Sequence, residues 1–296
     1  MKVIITGASG LLGRSVLKEL NKEINWKVIG LAFSRTSHEL IKLDLTNATD
    51  TEKFLLNEKP DFLIHCAAER DPDICENKEE KANNINISAT ETLAKTCSKL
   101  NTTFIYISTD YVFDGLQPPY QPNASLNPLN KYGISKMEGE KIARLSNLNS
   151  IILRVPVLYG PTEDLTESAV TTLVSLIEKK SNLKLDNWAI RYPTNTVNIS
   201  KAIKSLLKAI ILNKDLSING SFHFSAEEAF TKYEMAKIMA KILGFNTSNI
   251  TPDSNQPSGA PRPQNCQLDC QSLKKLIEFP QQDFRSEIER IITSIK

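Results

Sequence analysis

Apolar residues gather in short runs through the first half of the chain, and segments with a helical apolar period separate them. Residues 3–5, 28–31, 41–43, 62–65, 104–107 and 151–155 read as strands. Residues 11–20, 51–56, 89–100 and 136–145 between them read as helices. Strands alternating with helices form βαβ units, so the order predicts a doubly wound parallel sheet of the α/β class. After Pro161 the rhythm turns helical, over residues 168–180, 199–212, 233–243 and 284–295, with extended pieces at 193–197 and 221–225 and a loop over 246–267. This predicts a first domain over residues 1–160 and a smaller, mostly helical lobe over 161–296. Segments around 195–225 are expected to return to the main sheet.

Glycine is scarce, with 11 residues in the chain, yet three lie at three-residue spacing in Ile5-Thr6-Gly7-Ala8-Ser9-Gly10-Leu11-Leu12-Gly13. The run follows the first strand and opens the first helix. There Gly7 serves a tight turn, Gly10 a close backbone approach to a pyrophosphate, and Gly13 close helix–strand packing. Amides from Ser9, Gly10, Leu11 and Leu12 would face the phosphates, helped by the helix dipole. The sheet is therefore expected to be Rossmann-type. An NAD site places an acid at the end of the second strand, but here the chain reads Phe33, Ser34, Arg35. A hydroxyl and a guanidinium suit a 2′-phosphate, which selects NADP(H). Asp44 and Leu45 are expected beside the adenine, and Cys66, Ala67 and Ala68 let the fourth strand's end pass close to the cofactor.

Two further segments carry chemistry. The fifth strand ends in Ser108-Thr109-Asp110-Tyr111, and Tyr132 and Lys136 follow at i, i+4 on one helical face. A nearby ammonium favours phenolate and is expected to draw the Tyr132 pKa from about 10 toward neutrality. Tyr132 would then pass a proton to or from a substrate oxygen, Lys136 would tune it and hold the nicotinamide ribose, and Thr109 would orient a carbonyl. The second Tyr-x-x-x-Lys match, Tyr233 with Lys237, lies in the later helical lobe and is assigned to packing.

These residues resemble the extended short-chain dehydrogenase/reductase superfamily, in the branch of dTDP-4-dehydrorhamnose reductase and the regulatory β subunit of methionine adenosyltransferase. The run Ser108-Thr109-Asp110-Tyr111-Val112-Phe113-Asp114-Gly115 and Pro128-Leu129-Asn130-Lys131-Tyr132-Gly133 mark that branch. The stretches around His65–Arg70, Arg191–Thr194, Thr231–Ala236 and Gln267–Cys270 lean toward the β-subunit group. The resemblance implies a triad on Thr109, Tyr132 and Lys136. It adds Arg70 and Leu158 to the cofactor contacts, and makes Asn86 a support of the active-site helix. Reduction of a keto group on a small or nucleotide-linked sugar is the first function it implies. The alternative is a β-type subunit that partners a methionine adenosyltransferase catalytic chain and binds NADP without catalysis. Animal chains of that type look longer, with an aromatic-containing tail, whereas this chain stops at Lys296.

Composition removes other classes. Thirty-six basic against 34 acidic residues leave a formal charge of +2, too weak to select nucleic acid or an anionic membrane. No apolar run reaches the roughly 18–20 residues of a membrane helix. The first strand begins almost at Met1, leaving no room for a signal peptide, and five irregularly spaced cysteines suit a reducing compartment. A cytoplasmic chain is expected. His38, His65 and His223 are scattered and Cys266 and Cys270 are three apart, so no metal site is expected.

Overall fold

The computed structural model describes residues 1–179, 182–213, 218–280 and 283–295. Its centre is a seven-stranded sheet built from β1 (Lys2–Thr6), β2 (Lys27–Ala32), β3 (Leu40–Lys42), β4 (Phe62–His65), β5 (Thr103–Thr109), β6 (Ile151–Val155) and a later strand, Gly220–His223. Every pairing in it is parallel, in the spatial order Gly220–His223, β6, β5, β4, β1, β2, β3. The order reverses between β1 and β4, and a doubly wound sheet binds its ligands beyond the carboxyl ends of the strands at that point. Strands covered on both faces need no polar alternation, which is why β1, β4 and β6 read as near-continuous apolar runs.

Helices α1 (Leu11–Leu20), α2 (Ala48–Glu58), α3 (Pro72–Asn77), α4 (Glu79–Asn83), α5 (Ala89–Lys99) and α6 (Lys131–Ser146) fill the crossovers. Helix α6 begins five residues before the expected start because the Asn130 side chain accepts from the Gly133 amide at 2.8 Å and caps it there. Both Tyr132 and Lys136 consequently sit on the helix. Helices α3 and α4, in a stretch the sequence pattern left unassigned, precede a π-helical turn over Asn84–Ser88.

Beyond β6 come β7 (Leu158–Tyr159), α7 (Thr172–Lys179), β8 (Leu183–Asp186), β9 (Thr194–Asn195) and α8 (Thr196–Leu212). The main-sheet strand Gly220–His223 is β10; after it follow α9 (Lys232–Leu243), β11 (Ile250–Asp253), α10 (Gln271–Lys274) and α11 (Phe284–Ile295). The extended reading of 193–197 is too long at its end: the Asn195 side chain caps the Val197 amide at 2.9 Å and starts α8 at Thr196. The helix expected over 168–180 starts only at Thr172, and its last residue lies outside the described residues. The loop expected over 246–267 contains β11, which pairs with β8 in a separate two-stranded sheet.

Among the described residues four apolar cores result, the smallest of them formed by Val112, Phe113, Tyr120, Cys266 and Leu268. One joins β1, β4, β5 and β6 to α1 and α8, with Val16, Ile203 and Leu207 fully buried between the two helices and the sheet. The opposite face packs Leu55, Leu93 and Cys97 against Ile4, Leu63 and Phe104. A separate core holds Val170, Leu173, Met235, Met239, Phe284 and Ile288 of the later helices. Helix α8 and β10 thus belong to the sheet, although they lie late in the chain.

Candidate active site at the strand carboxyl ends

Register brings the glycine turn and the end of β4 together, since Thr6 stands between Leu31 and His65. Gly7 has φ +65, and a Cβ on it would lie 2.7 Å from the Ala67 amide nitrogen. A Cβ on Gly13 would lie 2.2 Å from the Gly7 carbonyl oxygen. Only glycine fits at either place, so the turn is compressed between α1 and Cys66–Ala67–Ala68. Gly10 caps α1 in extended conformation, and no side chain bonds the first amides of that helix. The first amides of the helix therefore lack a side-chain partner, an arrangement that would suit a pyrophosphate beside Ser9, Leu11 and Leu12.

A chain of buried hydrogen bonds ties this turn to α6. Thr90 donates to the Asn86 carbonyl at 2.8 Å, so its oxygen accepts from His65 Nε2 at 3.1 Å. His65 Nδ1 is then free to accept from the Thr6 hydroxyl at 2.6 Å. Asn86 Nδ2 donates to Ser135 Oγ at 3.0 Å and to the Glu69 carbonyl at 2.9 Å, and Ser135 donates to the Tyr132 carbonyl at 2.8 Å. Burial drives the His65 pKa down to about 3, helped by the Lys136 charge, so this histidine is a neutral strut. Asn86 sits in the π-helical turn, a local irregularity that turns its side chain toward α6.

Thr109 closes β5 beside Tyr132 of α6, and Lys136 lies one turn further along that helix. Here the structure corrects the sequence reading of the phenol. Burial, not the lysine, dominates Tyr132 and holds its pKa above the usual value, with the neighbouring Thr109 hydroxyl opposing that shift. The Lys136 ammonium lies 3.9 Å from the centroid of the Tyr106 ring. Burial brings its pKa down to about 7, against the opposing field of Glu140. Spacing placed the two groups on one helical face, but it carried no information on how deeply both are buried. The Thr109 hydroxyl donates to Asp110 at 3.1 Å and accepts from the Tyr111 amide at 3.2 Å. Burial raises the Asp110 carboxyl to about 7.

The remaining expected contacts are spread around the crevice. Leu158 lies in β7 beside Thr194. Phe33 and Ser34 are exposed beyond β2, and Arg70 is exposed beyond β4. Leu45 is buried, while Asp44 accepts from the Thr46 amide at 2.9 Å and from its hydroxyl at 2.6 Å. Arg35 does not stand free: its guanidinium bonds Glu167, which Arg14 also holds. Sequence reasoning missed Arg14 and Glu167. A cation directly after Gly13 was a usable signal for the first, but nothing local marks a carboxylate 132 residues from Arg35. The five cysteines are unpaired, and burial raises the Cys66 thiol to about 12, which makes it a packing residue. Among the described residues no helix is long and apolar enough to cross a membrane, and no His, Cys, Asp or Glu cluster could hold a metal.

A Rossmann-type sheet with a compressed glycine turn and a Thr–Tyr–Lys constellation facing it defines an extended short-chain dehydrogenase/reductase fold. The family model described as the RmlD substrate binding domain matches residues 1–296, and the chain belongs to that family, in the branch shared by dTDP-4-dehydrorhamnose reductases and methionine adenosyltransferase β subunits. It is 42% identical over 277 residues to methionine adenosyltransferase 2 subunit beta of Xenopus tropicalis, covering 93% of this chain and 82% of that one. Among solved structures, a dTDP-4-dehydrorhamnose reductase from Clostridium acetobutylicum superposes with a TM-score of 0.84 at 28% identity, covering 100% of this chain and 99% of that one. The Bacillus anthracis enzyme, solved in complex with NADP, gives 0.83 at 26% identity over 99% and 98% of the two chains.

Proposed function

We propose that the crevice binds NADP(H) and that the chain serves as the β-type accessory subunit of a methionine adenosyltransferase. The nucleotide part rests on the cradle that a Cβ at Gly7 or Gly13 would fill, the uncapped first turn of α1, and the cations Arg14 and Arg35 beside it. The Bacillus anthracis relative, solved with NADP, supports the same choice. Ser9 to Leu12 would hold the pyrophosphate, Ser34 and Arg35 the 2′-phosphate, and Lys136 the nicotinamide ribose. The accessory role is carried by one observation: identity of 42% to a β subunit across 93% of the chain, against 26–28% to the reductases. Mixing the chain with the cognate catalytic subunit at micromolar concentration should give one complex in size exclusion and change the methionine dependence of that enzyme. Separate elution of the two proteins would overturn the accessory role.

A second reading is favoured by the site itself. Thr109, Tyr132 and Lys136 are all present and grouped, which is what reduction of a keto-sugar would use. Bound NADPH would supply the hydride. Tyr132, held protonated by burial, would donate its phenolic proton to the substrate oxygen, and Lys136 would restrain the cofactor ribose and stabilise the resulting phenolate. Consumption of NADPH with dTDP-4-dehydro-6-deoxy-L-mannose would support this reading, and no turnover across a panel of keto-sugars would remove it.

A further inference from the structure

The two guanidiniums beside the nucleotide cradle share one carboxylate from the later part of the chain. Arg14, on the first turn of α1, bonds Glu167 through both terminal nitrogens, at 3.0 and 2.5 Å, and the Ser9 carbonyl at 2.7 Å. Arg35, beyond β2, reaches the same carboxylate through a single nitrogen. Glu167 is 7% exposed, and the Thr162 hydroxyl and Glu163 amide donate to it at 2.8 and 3.2 Å. Burial alone would raise its pKa, but the bonds from Arg14, Thr162 and Arg35 prevail and hold it at about 2. It is therefore a permanent anion beside the ribose end of the site.

The two contacts are unequal. Arg14 is anchored at three points and largely covered, whereas the Arg35 side chain is 54% exposed and makes one bond. A single-point contact to an exposed guanidinium is weak and readily exchanged. A bidentate, covered pair is not. Glu163 also reaches Arg14 Nη1 at 3.5 Å, so two guanidiniums and two carboxylates sum to zero, and a 2′-phosphate would add up to two negative charges.

We propose that Glu167 sets how strongly this site prefers a 2′-phosphorylated nucleotide, because Arg35 is shared between Glu167 and the 2′-phosphate while Arg14 stays on the carboxylate. The inference rests on the NADP(H) reading of the crevice. NADP(H) has to take Arg35 from Glu167 and to tolerate a neighbouring anion, while NAD(H) does neither. Glu167 therefore restrains the preference, and binding of the phosphorylated form releases one tie on the 162–167 segment.

Calorimetric titration of the full chain with NADP+ and with NAD+ tests this. Glu167→Gln should tighten NADP+ by about three- to tenfold, the order expected for losing one exposed competing contact and one nearby like charge, and should leave NAD+ within about twofold. In the unaltered chain, amide hydrogen exchange over 162–168 should be faster with NADP+ than with NAD+ at saturation, a readout that stands even if the variant fails to fold. An unchanged NADP+ to NAD+ ratio in a folded variant, or identical exchange with the two nucleotides, overturns the role of Glu167 and leaves the cofactor reading intact. Absence of heat with either nucleotide in the unaltered chain brings down the cofactor reading and this inference together.

Discussion

Replacing Glu140 by glutamine tests the scaffold beneath Lys136. Glu140 and Arg154 are 2% and 1% exposed and meet in a two-point pair, Nε to Oε1 at 2.8 Å and Nη2 to Oε2 at 2.7 Å. The Ser108 hydroxyl adds a bond to Oε1 at 2.6 Å. The other acceptors of Arg154 are neutral: the Pro122 carbonyl at 2.9 Å and His223 Nε2 at 3.1 Å. Burial and the Arg154 charge hold the His223 pKa at about 3, so it stays a neutral acceptor and offers the guanidinium no counter-charge. Glu140→Gln keeps the volume and leaves a buried guanidinium without a counter-charge, a loss of about 3–5 kcal/mol. At roughly 2–3 °C per kcal/mol for a chain of this size, Tm should fall by about 6–15 °C. Removing the anion should also lower the Lys136 pKa further, because the Glu140 carboxylate is the main charge that raises it. Differential scanning fluorimetry on parent, Glu140→Gln and the double replacement Glu140→Met with Arg154→Met reads the effect. The double variant should recover most of the loss, since an apolar pair of similar volume avoids the desolvation cost. A fall below about 2 °C in the single variant, or a double variant no better than it, refutes the argument.

Two more perturbations have signs fixed by the structure. Gly13→Ala places a methyl 2.2 Å from the backbone oxygen of Gly7, so it should cost about 1–3 kcal/mol of stability and abolish NADP+ binding, checked by denaturant melts and calorimetry. Lys136 has a folded pKa of about 7 against 10.5 for the free amine. Between those values the unfolded chain holds the extra proton, so the parent gains stability as pH rises through that window, and the cost of burying the charge is complete below it. Lys136→Met should therefore melt above the parent near about pH 6 and lose that lead by about pH 10. A lead that grows with pH would contradict the burial argument.

The parts of this molecule legible in its sequence are those whose cause is local or periodic. Strands buried on both faces announce themselves as apolar runs, and the Gly7-Gly10-Gly13 turn combines three local steric demands in one short segment. The β8–β11 pair was invisible because Ile250-Thr251-Pro252-Asp253 is half polar and its partner lies more than sixty residues earlier in the chain. Arg35 was read correctly as a cation beyond β2, but its partner could not be, because only the returning chain brings Glu167 to it. The phenol was misjudged for a related reason: helical spacing gives which groups share a face, and burial decides which way each titrates.

The presence of Thr109, Tyr132 and Lys136 does not by itself choose between accessory subunit and reductase, since each residue must be asked what else retains it. Lys136 would be kept by nucleotide binding alone. Thr109 caps its own turn by accepting from the Tyr111 amide at 3.2 Å, and the backbone of Tyr132 is held through Ser135 and Asn86 to the glycine turn. The phenolic hydroxyl of Tyr132 is the one group for which binding provides no such reason. Tyr132→Phe removes that oxygen and keeps the ring, its edge-on packing against Tyr111 with centroids 6.1 Å apart included. In an accessory subunit the variant should bind NADP+ within about tenfold of the parent and assemble with the synthetase unchanged, because one hydrogen bond is worth about 0.5–1.5 kcal/mol. In a reductase it should keep the same affinity yet lose at least about a hundredfold in turnover, the lower range for a general acid. A Tyr132→Phe chain that still reduced a keto-sugar at the parent's rate would mean that the proton comes from elsewhere, with the buried Asp110 carboxyl, titrating at about 7, the next group to replace.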